Sequence, residues 1–442
     1  MNVEVNKILP IIKGHKSGRP IGITSVCSSN EYVIKASMLD AKKYNKILLI
    51  ESTSNQVDQF GGYTGMTPKN FRDFVFRIAA SLDFAPSNLI LGGDHLGPNV
   101  WQKETSVYAM KNAKDQIAAY VKAGYSKIHL DASMKCADDG DPDKPLEPGI
   151  IADRASQLCK TAEESFQNSN KEFLQPVYVI GTDVPPPGGA KEEGESLKVT
   201  TSLEVEETIN LTKQAFLKNG LQDAWNRVVA VVVQPGVEFG DKKVFDYSRN
   251  KAVELKNKIE KESNFVYEAH STDYQLKELL RQMVEDHFAI LKVGPWLTFA
   301  FREALFSLNL IEKEILSNKK NATLSDLTNV VELRMKQNPK YWEKYYQDNN
   351  EDELRFQRKY SLSDRIRYYW NDEIVSNSFT KLLNNLSECD IPITLISQFL
   401  PDAYEAVRNG EIKNTSHDLI INKISNVLSN YNYATMGDDY RK

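Results

Sequence analysis

The chain has 442 residues, of which 41% are hydrophobic and 26% are charged, a globular composition that suits one large barrel with additions or two domains. A formal net charge of −5 and the lack of a polybasic stripe argue against nucleic-acid binding. No apolar run reaches transmembrane length, no secretory signal opens the chain, and four scattered cysteines without a CxxC pair predict reduced thiols in a cytoplasmic protein.

Eight short apolar runs rich in Val, Ile and Leu follow one another along the first two thirds of the chain. Several lack strict alternation of apolar and polar residues, which is typical of parallel strands buried on both faces. The runs predict strands over Ile21–Cys27, Lys46–Thr53, Asn88–Gly93, Lys127–Ser133, Pro176–Val184, Arg227–Pro235, Asn264–His270 and His287–Gly294.

Segments with helical spacing separate these runs, among them Thr105–Ala123, Leu203–Asn219 and Thr272–Asp286. Eight strand–helix alternations predict an α/β fold, a closed (β/α)8 TIM barrel over residues 1–300. A doubly wound open sheet is the rival, but it would usually show a GxGxxG turn where this chain has Cys-Ser-Ser-Asn-Glu. Beyond Pro295 the strand pattern stops. Helical patterns over Leu297–Leu316 and Asp402–Asn432 then predict a mainly helical region, 301–442, packed on the barrel.

Polar side chains occur at the carboxyl end of nearly every predicted strand, where barrels of this class carry their chemistry. Carboxylates and imidazoles buried at one mouth are costly unless they are paired or bind a cation, so we predict a functional site there. In chain order these residues are Asn30, Glu51, Gln56, Asp94, His95, His129, Asp131, Ser133, Asp183, Glu238, His270, Ser271, Asp273 and Lys292.

Histidines after strands three and seven predict a divalent metal site. His95 and His270 could converge across the mouth, and Asp183 or Glu238 would complete a mixed nitrogen and oxygen shell suited to Zn²⁺, Mn²⁺ or Co²⁺. Asp94 beside His95 is then the predicted general acid/base. The alternative is a hydrogen-bonded network that holds a polyol directly.

Two cationic features suggest contacts with a sugar phosphate. Lys292 fits either a Schiff base with a carbonyl substrate or a point charge for phosphate or enolate, and the metal-type cluster favours the second. Arg365 and Arg367 flank one residue beside three consecutive aromatics. They predict phosphate binding if this segment covers the barrel mouth, with a structural Arg–carboxylate pair as the alternative.

The chain closely resembles the GatZ/KbaZ family, the tagatose-1,6-bisphosphate aldolase subunits once labelled tagatose 6-phosphate kinases. The resemblance runs from about Gly14 to Tyr433 and is carried by CSSN, IESTSNQVDQFGGYTGMTP, GGDHLGPN, KIHLDASM, VIGTDVPPPGGA, VVQPGVEFG, EAHSTDYQ, HFAILKVGP and SDRIRYYW. It implies a barrel related to class II, metal-dependent aldolases, in which a smaller partner subunit carries the zinc chemistry. Family members are either subunits needed for full activity and stability or stand-alone, metal-dependent 4-epimerases of hexuloses or their phosphates.

The resemblance also implies roles for individual residues. Asp94-His95 matches the strand-three pair of class II aldolases, in which Asp is the acid/base and His binds metal. Asp131-Ala132-Ser133 resembles their Asp-Gly-Ser, and His270-Ser271 their His-Gly region. Asp183 stands where the family commonly has Glu. The second metal histidine has no counterpart, so Asp183 or Glu238 would replace it.

Together these observations predict a protein of tagatose and galactitol-type sugar metabolism, either an aldolase subunit or a metal-dependent epimerase or aldolase. No GxxxxGK[ST] loop or kinase signature set occurs, so we predict a divalent metal but no nucleotide. The expected ligand is a sugar or sugar phosphate, while a class II catalytic partner and a homo-oligomer stay open. The predicted catalytic residues are Asp94, Asp131 and Lys292; the metal ligands are His95, Asp183, Glu238 and His270; the substrate or phosphate ligands are Asn30, Glu51, Gln56, Ser133, Ser271, Asp273, Arg365 and Arg367.

Overall fold

The structure, a computed structural model, describes residues 6–141, 144–170, 172–181, 197–319, 322–346, 348, 350–387 and 391–437. Eight parallel strands form a closed barrel in which each strand pairs with its neighbours in the chain and the eighth pairs with the first. The predicted (β/α)8 barrel is therefore confirmed. Its strands are β1 Ile23–Cys27, β2 Leu48–Thr53, β3 Leu89–Leu96, β4 Lys127–Leu130, β5 Val177–Ile180, β6 Val228–Val233, β7 Val266–Ala269 and β8 Ile290–Val293.

Helices surround the barrel and build the region that follows it. The first ten are α1 Ile8–Lys16, α2 Glu31–Lys43, α3 Pro68–Ser81, α4 Ser106–Lys122, α5 Pro148–Gln167, α6 Ser202–Lys218, α7 Gln222–Trp225, α8 Arg249–Glu260, α9 Lys277–Glu285 and α10 Pro295–Leu316. The later ones are α11 Leu327–Gln337, α12 Glu351–Tyr360, α13 Glu373–Ser387, α14 Ile393–Phe399, α15 Pro401–Arg408 and α16 Ser416–Thr435. Short 3-10 turns lie at Pro86–Asn88, Pro98–Trp101, Pro339–Tyr341 and Arg365–Tyr369, and Glu238–Phe239 pairs antiparallel with Val244–Phe245.

Two helical predictions differ from the structure for local backbone reasons. The helix predicted from Thr272 begins only at Lys277, because Ser271 and Tyr274 have φ angles of 53° and 65°. The helix predicted over Asp402–Asn432 is two helices, α15 and α16. The chain turns between them at Gly410, where φ is 71°, a conformation that glycine adopts without a steric penalty.

The lower end of the barrel is apolar. Ile8 and Ile12 of α1 pack into the interior against residues of the strands, which are Ile23, Leu49, Ile90, Val177, Val179, Val229, Ala230, Val232, Val266, Ala289 and Ile290. Helix α1 therefore closes the amino-terminal end of the barrel, and the polar residues of the strands are left to the carboxyl end.

The helical region packs directly on the barrel. Helix α16 contacts α2, α9 and α10, and the Tyr431 hydroxyl donates to the Thr272 carbonyl at 3.0 Å. Helix α10 crosses residue 300 without a break, so the division into 1–300 and 301–442 stays a prediction. In the described part of the chain no helix is long and apolar enough to cross a membrane.

Candidate active site

A cavity opens at the carboxyl ends of the strands and has a volume of about 110 Å³. Its walls come from β1, β2, β3, β7 and β8 and their following loops, and the segment around Arg367–Asn371 of the helical region contributes a further wall. The lining residues are Cys27, Ser28, Ser29, Asn30, Thr53, Asn55, Gln56, Tyr63, Asp94, His95, Phe239, His270, Ser271, Asp273, Lys292, Val293, Gly294, Pro295, Thr298, Arg367, Tyr368, Trp370 and Asn371.

Below the cavity the barrel interior contains a closed ring of alternating charges, made of Lys127, Glu51, Lys292 and Glu268. Lys127 Nζ lies 2.6 Å from Glu51 Oε1 and 2.5 Å from Glu268 Oε2. Lys292 Nζ lies 3.0 Å from Glu51 Oε2 and 3.5 Å from Glu268 Oε1. No side chain of this buried ion ring is more than 6% exposed. Such charges are tolerated in a barrel interior because each carboxylate faces both lysines.

The strand register makes room for this buried ion ring. Glu51 of β2 lies opposite Gly92 of β3, and Gly92 lies opposite Lys127 of β4. A Cβ atom on Gly92 would come within 2.5 Å of Glu51 Oε1. The glycine therefore lets the side chains of Glu51 and Lys127 meet across the strand between them.

Lys292 extends the ring to the cavity because its Nζ also contacts Asp94 Oδ1. Burial alone would lower the pKa of Lys292, but Asp94 and Glu51 outweigh it and hold that pKa well above the usual range. The side chain is therefore an ammonium ion. Schiff-base formation requires a neutral amine, so of the two predicted roles the geometry favours the point charge.

Asp94 is an ionised carboxylate on the cavity wall. Its Oδ1 lies 2.9 Å from His129 Nδ1, and its Oδ2 lies 3.6 Å from His95 Nε2. Burial would raise the pKa of Asp94, but His95 and Lys292 reverse this and hold it well below the usual value. A carboxylate in this state can accept a proton from a hydroxyl group of a bound ligand.

Asp131 positions His95 from behind. Its Oδ2 lies 2.8 Å from His95 Nδ1, and its Oδ1 accepts hydrogen bonds from the Ser133 backbone N–H at 3.1 Å and from the Ser133 hydroxyl at 2.6 Å. Burial opposes a charge on His95, yet the Asp94 and Asp131 carboxylates raise its pKa. Because neither Asp131 nor Ser133 lines the cavity, the structure places them one step behind the wall.

Four residues could hold a divalent metal ion. Asp94, His129, Glu268 and His270 each offer one ligand atom, and the four atoms lie within 4.8 Å of one another. His129 Nε2 is buried and has no hydrogen-bond partner among the described residues, while burial, helped by Lys292, lowers the pKa of His270 to about 3. Neutral imidazoles with carboxylates form the mixed donor set that Zn²⁺, Mn²⁺ or Co²⁺ accepts, so these residues fit such an ion.

The predicted metal ligands are only partly brought together. His270 belongs to the group of four, and the His95 ring lies 4.9 Å from the His270 ring, but His95 Nδ1 is engaged by Asp131. Glu238 instead bonds Ser271 and the Phe239 backbone, and burial raises its pKa to about 7. Asp183 lies outside the described residues. His129 and Glu268, which the predicted set omits, occupy the remaining places.

The predicted substrate residues divide into wall residues and residues behind the wall. Asn30, Gln56, Ser271, Asp273 and Arg367 line the cavity, whereas Glu51, Ser133 and Arg365 do not. Two of the wall residues also have structural tasks. Asn30 Oδ1 accepts from the Tyr32 N–H at the start of α2, and Asp273 Oδ1 accepts from the Gly294 and Trp296 N–H groups at the start of α10.

The two predicted phosphate arginines point in different directions. The Arg365 guanidinium stacks on Tyr345, with 3.1 Å to the ring centroid. Arg367 reaches the cavity. Its nitrogens donate to the Ser363 and Asp364 carbonyls and to the Tyr368 hydroxyl, all of which are neutral acceptors. Among the described residues, its guanidinium therefore forms no direct ion pair with a carboxylate.

Several wall residues have no role in the predicted site, notably Tyr63 and Tyr368, and Thr53 and Asn55 enter the prediction only as polar residues at the end of the second strand. They come from the glycine-rich loop after β2 and from the 3-10 turn Arg365–Tyr369. Their sequence signal is only their closeness to predicted site residues in the chain. Their presence makes the cavity wall rich in hydroxyl and amide groups, which suits a polyhydroxylated ligand.

Comparison with known proteins gives the same family over almost all of the chain. Residues 8–436 match the family described as D-tagatose-1,6-bisphosphate aldolase subunit GatZ/KbaZ-like. A crystal structure of a "probable tagatose 6 phosphate kinase" from Sinorhizobium meliloti 1021 has a TM-score of 0.85 and 43% identity, covering 94% of this chain and 100% of that chain.

More distant matches include two aldolases. The fructose-bisphosphate aldolase from Campylobacter jejuni has a TM-score of 0.43 and 13% identity, over 86% of this chain and 91% of that chain. The YdjI aldolase from Escherichia coli K12 has a TM-score of 0.41 and 10% identity, over 86% and 96%. Scores this low say nothing about the residues of the site.

Proposed function

Because the chain belongs to the GatZ/KbaZ-like family of D-tagatose-1,6-bisphosphate aldolase subunits, we propose that it acts in the aldol chemistry of ketohexose phosphates and that its own barrel mouth binds the sugar. The observation that carries this proposal is the ionised Asp94 on the wall of a polar cavity, backed by His95, His129 and Lys292. A barrel that served only as a scaffold would gain nothing from so many buried charges, whose desolvation is costly.

The proposed reaction breaks, or breaks and re-forms, the C3–C4 bond of a ketose. Asp94 takes the proton of the C4 hydroxyl as the bond to C3 breaks, and returns it if the aldehyde fragment rejoins. A divalent metal bound by Asp94, His129, Glu268 or His270 would supply Lewis-acid stabilisation of the negative charge left on the ketose fragment. If the aldehyde leaves, the proton held by Asp94 is available to C3 of the enediolate, and the result is aldol cleavage. If it turns over before rejoining, the result is the C4 epimer.

Other residues hold the substrate in place during these steps. Arg367, a guanidinium whose bonds within the described part of the chain go only to neutral acceptors, is the proposed phosphate ligand at the roof of the cavity. Asn30, Gln56 and Ser271, which line the cavity, are the proposed ligands of the sugar hydroxyls. Asp131 keeps the His95 ring fixed beside Asp94, so that the proton-transfer groups keep one geometry.

A second candidate function, supported by the family description, is that of an accessory subunit for a class II catalytic partner. In that case the sugar would still bind here, but cleavage would need the second polypeptide. A phosphotransferase is not proposed, since the sequence has no GxxxxGK[ST] loop or kinase signature set. The cytoplasmic location and the identity of the metal stay predictions.

The test is an assay of the purified chain, first alone and then with a class II aldolase catalytic subunit. Triose phosphate release from tagatose 1,6-bisphosphate and C4 epimerisation of tagatose 6-phosphate are both measured. We expect turnover that is lost in Asp94→Asn and kept in the surface variant Asp73→Asn, whose carboxylate pairs with the exposed Lys69. Turnover that appears only with the partner supports the accessory role. Full activity of Asp94→Asn under both conditions would remove this site from the chemistry.

A further inference from the structure

Lys292 contacts the two carboxylates that belong to the candidate metal group, Asp94 and Glu268. Its Nζ contacts Asp94 Oδ1, the oxygen that also bonds His129 Nδ1. It lies 3.5 Å from Glu268 Oε1, the oxygen that is also 3.1 Å from His270 Nε2. Both carboxylates therefore belong to the group of four, and both already face an ammonium ion.

From this overlap we propose that Lys292 is an internal cation that competes with a divalent metal ion for Asp94 and Glu268, and that metal binding displaces its ammonium group toward the sugar. The inference rests on the metal site of the proposed function and goes beyond it. In this proposal Lys292 sets the affinity for the metal ion. Metal binding in turn sets the position of the Lys292 ammonium group, which then contacts the substrate.

Electrostatics requires one of the two cations to move. A divalent ion that took one oxygen each from Asp94 and Glu268 would lie beside Nζ of Lys292, and like charges at such distances in a protein interior repel strongly. The carboxylates cannot neutralise the metal ion and Lys292 at the same time, because Glu51 and Glu268 also pair with Lys127 in the buried ion ring. Lys127 is 0% exposed and does not line the cavity, whereas Lys292 does.

The displaced ammonium has a place to go. Lys292 is on the cavity wall together with Asp94, His95 and His270, so a change of side-chain rotamer carries Nζ toward the open space. There it would meet the electron-rich oxygens of a bound sugar phosphate. Metal loading and sugar binding would then reinforce each other, since the charge released by the first becomes a ligand for the second.

The experiment measures binding of Mn²⁺ and Zn²⁺ to the purified full chain by calorimetry, with metal content checked by elemental analysis. We expect Lys292→Met to bind the metal at least about tenfold more tightly than the wild type, because the competing charge is gone. In the Asp94→Asn background the same substitution should raise the affinity by a smaller factor than in the wild type, because one of the two contested carboxylates is neutral. The matched control is Arg367→Gln, which removes a cation from the same cavity without a contact to Asp94 or Glu268, and it should leave metal affinity within about threefold of the wild type.

A second measurement on the wild-type chain covers the case in which Lys292→Met does not fold. Lysine labelling with an acid anhydride, followed by mass spectrometry, should show Lys292 more reactive when Mn²⁺ is present and Lys127 unreactive in both states. Equal metal affinity of the wild type and Lys292→Met, or protection of Lys292 by Mn²⁺, would overturn the proposal. So would the absence of metal binding in every variant, whereas the sugar assays above would still decide the proposed function independently.

Discussion

Replacement of Lys127 by methionine should destabilise the barrel by removing one cation from the buried ion ring. The ammonium group is 0% exposed and lies within 2.6 Å of one carboxylate and 2.5 Å of another, Glu51 and Glu268. Methionine is an unbranched side chain only one atom shorter than lysine, so the loss is mainly electrostatic rather than a cavity. Leaving a buried charge without its partner costs about 3–5 kcal/mol, and Lys292 still serves both carboxylates, so we expect about 3 kcal/mol.

The assay is equilibrium urea unfolding, followed by circular dichroism and by tryptophan fluorescence so that coincident transitions confirm two-state behaviour. The double variant Lys127→Met/Glu51→Gln is the informative control, because it removes the carboxylate that the single variant leaves short of a counter-charge. We expect it to be more stable than the sum of its two single variants by about 1–3 kcal/mol. A loss below about 1 kcal/mol for Lys127→Met, or strict additivity in the cycle, would refute the reasoning.

Three further outcomes follow from the site and the fold. Asp131→Asn should lower kcat about 10–100-fold with little change in KM or in the circular dichroism spectrum, because His95 loses the carboxylate that orients it; an unchanged kcat contradicts this. Arg367→Gln should raise KM about tenfold or more for a phosphorylated ketose and leave KM for the free ketose unchanged. Arg365→Gln should affect KM for the two substrates equally, because Arg365 stacks on Tyr345. Equal effects of Arg367→Gln on both substrates would show that Arg367 does not bind phosphate. Burial lowers the pKa of His15 from 6.5 to about 4 in the folded chain. As the pH falls below 6.5, the unfolded chain binds a proton at His15 before the folded chain does. The free energy of unfolding should therefore decrease as the pH falls through this range. The urea midpoint of His15→Asn should then fall less between pH 7 and 5 than that of the wild type, and parallel curves would exclude His15 as a cause.

The fold was predictable because parallel barrel strands are buried on both faces and therefore occur as apolar runs in the sequence. Each of the eight runs overlaps an observed strand. The position of the site was predictable for the same reason, since the carboxyl ends of such strands meet at one mouth. The spacing of polar residues within single strands could also have indicated which side chains point into the barrel. Lys127, His129 and Asp131 are two residues apart, as are Glu268 and His270, and residues at that spacing point to the same side of a strand.

The pairing of individual atoms was not predictable, because it depends on the register between strands. Lys127 reaches Glu51 only because Gly92, which lies between them, has no side chain. The sequence of a single strand does not show which residues of the neighbouring strands lie opposite it. The two arginines make the same point. In a 3-10 turn successive residues are separated by about 120°, so Arg365 and Arg367 point to different sides. Which of them faces the cavity is decided by where the helical region docks.

The charges of the site also give the sugar a direction. Among the described residues of this cluster, Glu51, Asp94, Asp131 and Glu268 are carboxylates, while Lys127 and Lys292 carry positive charge and the carboxylates raise the pKa of His95. Even when His95 is counted as a cation, four carboxylates face three cations. The excess of negative charge at the base of the cavity favours an added cation there and repels a phosphate. The phosphate should therefore bind at the opposite end, where Arg367 supplies the positive charge from the helical region. Under the proposed function, a ketose phosphate bound in this orientation would present its carbonyl and C4 hydroxyl end to Asp94. The barrel and the helical region would then each contribute one end of the proposed substrate site.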